Sequence, residues 1–362
     1  MTHPEPDPDT DSILDGEIVS DGAALIPYEG GLVSPALAQA GQAANAAAAQ
    51  GVFADYLARR SENTLRRQAA DLRLFADFLK EAGVQINGDL LRISGEPWRG
   101  VTWGLVEAFK RWMLGRGYAI GSVNVRLSTI KTYARFAFKS GEIDPAEHAM
   151  IRQVVGFNRK ESKRVDQKRA QTRIGIKKDE PTRLTYEQAA ELKAQPDTPQ
   201  GRRDALLMCL LLDHGLRCGE VALLQTDNLD LRTGTLRFYR PKVDKEQVHK
   251  LTADTLRAAY AWLTGGDAPA EGPLLRASRK GGELGRAGMT ERAITKRVRQ
   301  LGRRIGVRGL SAHDCRHYWA TRAARSGTDP FALQEAGGWN SLAMPRRYVE
   351  DAKIANEGVK GF

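Results

Sequence analysis

The first fifty residues contain neither lysine nor arginine, while eight acidic residues fall between Glu5 and Glu29. All 55 Lys and Arg residues lie beyond that point, against the remaining 36 of the 44 Asp and Glu residues, so the body of the chain is far more cationic than the overall charge of +11 implies. Such a body suits a polyanion, nucleic acid above all, although a basic surface can also be merely well solvated. Cysteine is scarce. Cys209, Cys218 and Cys315 make no CxxC spacing, which argues against a disulfide framework and reads as reduced thiols in a cytoplasmic protein. No run of eighteen apolar residues occurs, and the N-terminus has no basic, apolar leader. Neither membrane insertion nor export is expected. Neither GxGxxG nor a Walker pattern is present, and Arg279-Lys280-Gly281-Gly282 reads as a loop, so no nucleotide site or other cofactor is expected.

At 362 residues the chain can hold two domains and a tail. Residues 1–54 read as an acidic, then Ala-rich, largely disordered tail, whose stretch from residue 35 can begin a weakly held helix. A helical domain is expected over 55–150. Leu65, Ala69, Leu72, Phe75 and Leu79 recur at helical spacing, Thr102 is a plausible cap for a second helix, and Val123, Leu127, Ile130, Ala134 and Ala137 form the apolar side of a third. The opposite side of that third helix carries Arg126, Lys131, Arg135 and Lys139, a stripe able to follow a DNA backbone or simply to face solvent. Residues 151–182 read as a basic linker with almost nothing to bury, and Lys163 and Arg164 within it are further candidates for phosphate contact. The second domain, 183–362, is expected to be mainly helical with a small antiparallel sheet. Its strands are placed at Thr235–Arg240 and Gln247–Leu251, around a loop carrying Lys242 and Lys245.

Between Ser311 and Tyr348 the residue types point to phosphodiester chemistry. His313 and Arg316 are three apart in a helical segment, so they project from one face, one turn apart. Arg217 and Glu220 repeat that spacing, pairing a planar guanidinium with a carboxylate that can orient it. A tyrosine hydroxyl, which ordinarily loses its proton only near pH ~10, attacks phosphorus only where cations offset the developing charge. Taken alone, Arg217 with Glu220 is an ordinary helical ion pair and Tyr348 a packing residue. His313 and His317 also have the i, i+4 spacing of metal-binding pairs, yet no third ligand is evident and nearby arginines would repel a cation. No metal is expected.

The segments GLRCGEVALLQTDNLDL (215–231), RPKVDKEQVHKL (240–251), AHDCRHYWATRAARSG (312–327) and AGGWNSLAMPRRY (336–348) resemble, in order and spacing, the boxes of the tyrosine recombinase, or phage integrase, family. With the helical module and linker, the likeness spans about residues 55–362. It implies that Arg217 and Arg316 clamp the scissile phosphate, supported by Glu220, and that His313 assists proton movement. It also implies that Trp339 donates a hydrogen bond to the phosphate and floors the site, that a hairpin lysine protonates the departing 5′ oxygen, and that Tyr348 is the nucleophile. Lys242 aligns best with that lysine, and Lys245 is its rival. Gln247 and Cys315 stand where arginine and leucine are common. The resemblance implies double-stranded recombination sites as substrate, strand exchange by a homotetramer without metal or ATP, and room for an accessory protein. Val349–Phe362 would be the segment that docks into a neighbour. A type IB topoisomerase-like nicking-closing enzyme, or a DNA-binding protein without catalysis, fits the same residues.

Overall fold

A computed structural model of the chain describes residues 35–174 and 181–352. The acidic stretch expected to be disordered, the end of the basic linker and most of the C-terminal docking segment lie outside the described residues. The chain divides near residue 176 into two units, each with its own apolar core.

The first unit is all helical: α1 (Pro35–Ala58), α2 (Glu62–Glu81), α3 (Leu90–Ile93), α4 (Trp103–Gly115), α5 (Ile120–Lys139), α6 (Pro145–Gln153) and α7 (Arg159–Asp166). Ser61 and Thr102 accept the backbone N–H groups of Thr64 and Leu105, which fixes where α2 and α4 begin. Leu72, Phe75, Val106, Phe109, Val123, Ile130 and Tyr133 fill the core, and the buried Trp98 indole donates to the Leu91 carbonyl. Helix α1 begins well inside the expected tail. Its last turns belong to the unit because Phe53 is buried and packs edge-on against Phe136.

The linker also departs from expectation, because through residue 169 it is folded back onto the first unit. Asn124 bonds both the N–H and the carbonyl of Phe157, Lys110 donates to the Val155 carbonyl, and Arg169 donates to the carbonyls of Leu114 and Tyr118. Ile151 and Val154 are buried in the first unit's core and Phe157 packs against it, while polar side chains satisfy much of the remaining linker backbone. The basic stripe of α5 is likewise divided. Lys131 donates to the carbonyls of Arg152 and Val154 at the end of α6, where a cation complements the helix terminus, and Arg126 lies over the Tyr118 ring 3.6 Å from Asp71. Arg135 and Lys139 remain exposed, as do Lys163 and Arg164 on α7.

The second unit comprises α8 (Tyr186–Lys193), α9 (Pro199–Leu212), α10 (Cys218–Leu223), β1 (Leu229–Asp230), β2 (Thr235–Arg240), β3 (Lys245–Lys250), α11 (Ala253–Thr264), β4 (Arg276–Ser278), β5 (Leu284–Gly288), α12 (Glu291–Arg304), α13 (Ala312–Arg325), α14 (Pro330–Gly337) and α15 (Ala343–Ala352). It is mainly helical with small antiparallel sheets, as expected, in the order β1-β2-β3 and, separately, β4-β5. Helix α9 is buried on nearly every side, from Leu206 to Leu212, as a central helix should be. It also buries Arg203 and Asp204. Asp204 accepts from Arg203 and, at 2.7 Å, from Arg297 Nε, tying α9 to α12. In the hairpin, Arg240 pairs with Lys245 and Phe238 with Gln247, so Lys245 opens β3 and only Lys242 lies in the loop between the strands. Removing one member of a buried charge network leaves the others uncompensated. Asp204→Ala should therefore cost about 3–5 kcal/mol, read from the urea unfolding of the second unit.

Candidate active site

Arg217 caps the start of α10. Its N–H donates to Glu220 Oε2 (2.7 Å), its Nη1 to Glu220 Oε1 (2.7 Å) and its Nη2 to the Gly338 carbonyl (3.1 Å). Arg316, on α13, donates to the carbonyls of Gly215 (2.5 Å) and Gly337. Its guanidinium lies 4.5 Å from the centre of the Trp339 ring. Two arginines from distant segments are thus held beside each other by the same Gly337-Gly338 corner. Gly338 occupies the left-handed region (φ 57°), and a Cβ on Gly337 would sit 2.0 Å from the Trp339 ring. Neither position accepts a larger residue without moving the arginines' anchors.

Arg217, Arg316, His313 and Lys242 line one cleft, beside Glu220. A guanidinium has five N–H donors, and the bonds described use two on each arginine, so donors remain for a phosphate. The electrostatics point the same way. Burial, with Arg217 and Arg240 close by, pushes the Arg316 guanidinium down to about 9, a shift that an anion in the cleft would oppose. Lys245 is elsewhere, paired at an exposed surface with Glu335 (2.5 Å).

Tyr348 is buried beside this cleft. Its hydroxyl lies 3.1 Å from His317 Nδ1 and its ring packs between His317 and Trp339. It lines a neighbouring depression with His317 and Arg347, whereas His313 lines the arginine cleft. Trp339 lies under Arg316, in cation–π contact with its guanidinium.

A model of the phage integrase family matches residues 182–354, which contain all of these groups. Residues 182–354 belong to that family. The chain is similar to the tyrosine recombinase XerC of Chlamydia pneumoniae, with 27% identity over 315 residues, 82% of this chain and 92% of the relative. XerD of Neisseria meningitidis serogroup B is 30% identical over 190 residues, 51% of this chain and 63% of that one. Among solved structures, a lambda integrase dimer bound to a core site superposes with a TM-score of 0.56 at 16% identity, over 87% of this chain and 97% of the other. The Tn1549 transposon integrase bound to transposon right-end DNA gives 0.57 at 16%, over 83% and 94%. These structural likenesses support the fold. The family assignment makes the chain a tyrosine recombinase enzyme that performs DNA strand exchange.

In this recombinase the residue that sequence reasoning missed is Arg240. It is fully buried at the end of β2, donating to Glu220 Oε2 (2.8 Å), to Gln247 Oε1 and to the Ala336 carbonyl (2.7 Å). The signal was present: Leu236, Phe238 and Arg240 alternate on the inward face of one strand, and an arginine at such a position needs a buried partner. Gln247, which looked like a neutral departure from the family pattern, is wired to the same group and donates to the Glu335 carbonyl (2.6 Å).

Burial alone would raise the Glu220 carboxyl, but Arg240, together with the Arg217 N–H and guanidinium, outweighs it and holds the group below its ordinary 4.5. A depressed folded-state pKa means that the ionised carboxylate contributes stability above about pH 4.5, and that this contribution is lost as pH falls through the folded value. Glu220→Gln should therefore unfold at lower urea than the wild type at neutral pH. The gap should narrow as the pH falls below about 4.5.

Proposed function

We propose that this chain is a site-specific recombinase that cuts and rejoins DNA through a 3′-phosphotyrosine intermediate, acting as a homotetramer on paired sites of a mobile element or replicon. The observation that carries the reading is the convergence of Arg217 and Arg316 with His313 and Lys242 on one cleft, with the Tyr348 ring packed against the Trp339 that underlies Arg316.

In this reading the two guanidiniums hold the non-bridging oxygens of one phosphate, and their field, in a site partly shielded from water, stabilises the pentacoordinate transition state. Tyr348 Oη bonds to phosphorus as the bond to the 5′ oxygen breaks, and Lys242 gives that oxygen a proton. The phosphotyrosine retains the energy of the broken linkage, so a second 5′ hydroxyl can reverse the step without ATP. The exposed Arg135, Lys139, Lys163 and Arg164 track the duplex backbone and make affinity salt-sensitive. Lys131 and Arg126 contribute less, being committed within the first unit. DNA-bound integrase structures of the same fold support a duplex substrate, and in this reading residues 349–362 dock into a neighbouring subunit.

A nicked suicide duplex tests the chemistry. The native protein should become covalently attached and Tyr348→Phe should not, with DNA affinity nearly unchanged. Lys242→Ala should slow attachment about 10²–10⁴-fold while Lys245→Ala leaves it within a few-fold. Equal attachment by the native protein and Tyr348→Phe would remove Tyr348 from the role. Relaxation of plasmids without paired sites would point to a nicking-closing enzyme.

A further inference from the structure

Helix α13 carries a second histidine for which the phosphate clamp provides no task. Three polar side chains form a line: Tyr348 Oη is 3.1 Å from His317 Nδ1, and His317 Nε2 is 3.1 Å from His313 Nε2. Hydrogen-bond valence limits how protons can occupy that line. Two facing ring nitrogens share one proton, and a neutral imidazole has one donor and one acceptor nitrogen. If His317 Nδ1 accepts from the tyrosine, its Nε2 must carry a proton and donate to His313, whose own proton then sits on Nδ1. The opposite assignment runs the whole line in reverse. Either way, the protonation of the two rings is coupled.

Resting on the recombinase reading above, we infer that His317 takes the Tyr348 proton during cleavage and that His313 receives the resulting charge in the arginine cleft. As Tyr348 Oη bonds to phosphorus, the phenolic proton moves to His317 Nδ1. The proton on His317 Nε2 moves to His313 Nε2, which leaves His313 as an imidazolium. The bond to the 5′ oxygen breaks, and that oxygen takes a proton from the Lys242 ammonium. Religation returns both protons. Two histidines serve where one would not, because His313 lines the cleft while the hydroxyl lies across His317, in the adjoining depression.

The groups facing His317 are His313, Asp314 and Arg316 from its own helix and Arg347 and Tyr348 from α15, with Arg183 across the depression. Burial, then the neighbouring His313, holds the imidazole below its ordinary pKa, which keeps it a neutral acceptor near neutral pH.

The test is single-turnover attachment of the full-length protein to the suicide duplex. His317→Asn keeps an acceptor near the Nδ1 position, and His317→Gln keeps an amide near Nε2, but neither can pass a proton. Both should slow attachment about 10²–10⁴-fold with thermal midpoint and DNA affinity unchanged. The acid-side fall of the native rate profile should be absent from His317→Asn. Replacing the bridging 5′ oxygen with sulfur, a leaving group that needs no acid, should rescue Lys242→Ala but not His317→Asn. Wild-type rates in both variants, rescue of His317→Asn by sulfur, or losses that track lowered thermal midpoints in both would each overturn the inference. Failure of the native protein to attach at all would instead remove the recombinase reading on which it rests.

Discussion

The arginine cleft is built around one buried carboxylate. Glu220 accepts from Arg217 on one oxygen and from Arg240 and the Arg217 N–H on the other. Those bonds join the start of α10 to the end of β2. Arg240 then reaches the Ala336 carbonyl, Arg217 the Gly338 carbonyl and Arg316 the carbonyls of Gly215 and Gly337. Segments far apart in the chain are stapled around the same few atoms. Such a network is costly to desolvate and contributes little to stability compared with an apolar core, so its persistence is better explained by what it holds in place.

The charge balance follows from that arrangement. Arg217, Arg240 and Arg316 surround a single carboxylate, leaving two positive charges in excess among these four groups. A phosphodiester carries one negative charge, and its pentacoordinate transition state carries two. In the proposed reaction that excess would match the transition state better than the bound substrate, which is the condition for lowering a barrier rather than merely tightening binding.

Much of this was legible in the sequence, and the reasons for the remainder are physical. His313 and Arg316 announce themselves because helical spacing puts them on one face, and Arg217 with Glu220 because a carboxylate three residues on closes back onto the residue that caps the helix. The apolar run in α9 marks the central helix. Arg240 is legible only through the alternation of β2, which points it inward beside two more conspicuous lysines. The linker misled for a different reason. Hydrophobic content measures how much apolar surface a segment can bury, and beyond Val154 and Phe157, residues 154–169 are held by side chains such as Asn124, Lys110 and Arg169 bonding to backbone, which leaves no trace in hydropathy. Lys131 shows the same limit: a basic residue on a polar helix face reads as solvated until a helix terminus is brought beside it by the fold.

The partners chosen for the two clamp arginines also differ. Arg217 is held by a carboxylate, which fixes its orientation but cancels part of its field. Arg316 is held, among the described residues, by carbonyl oxygens and by the face of Trp339. Carbonyl dipoles and an aromatic quadrupole orient a cation while leaving its net charge intact. The arginine on the same helix as His313 is thus the one whose charge is least neutralised, and it lies against the indole that also packs on the Tyr348 ring. In the proposed reaction, charge that develops as Tyr348 attacks would therefore fall beside the less compensated of the two guanidiniums.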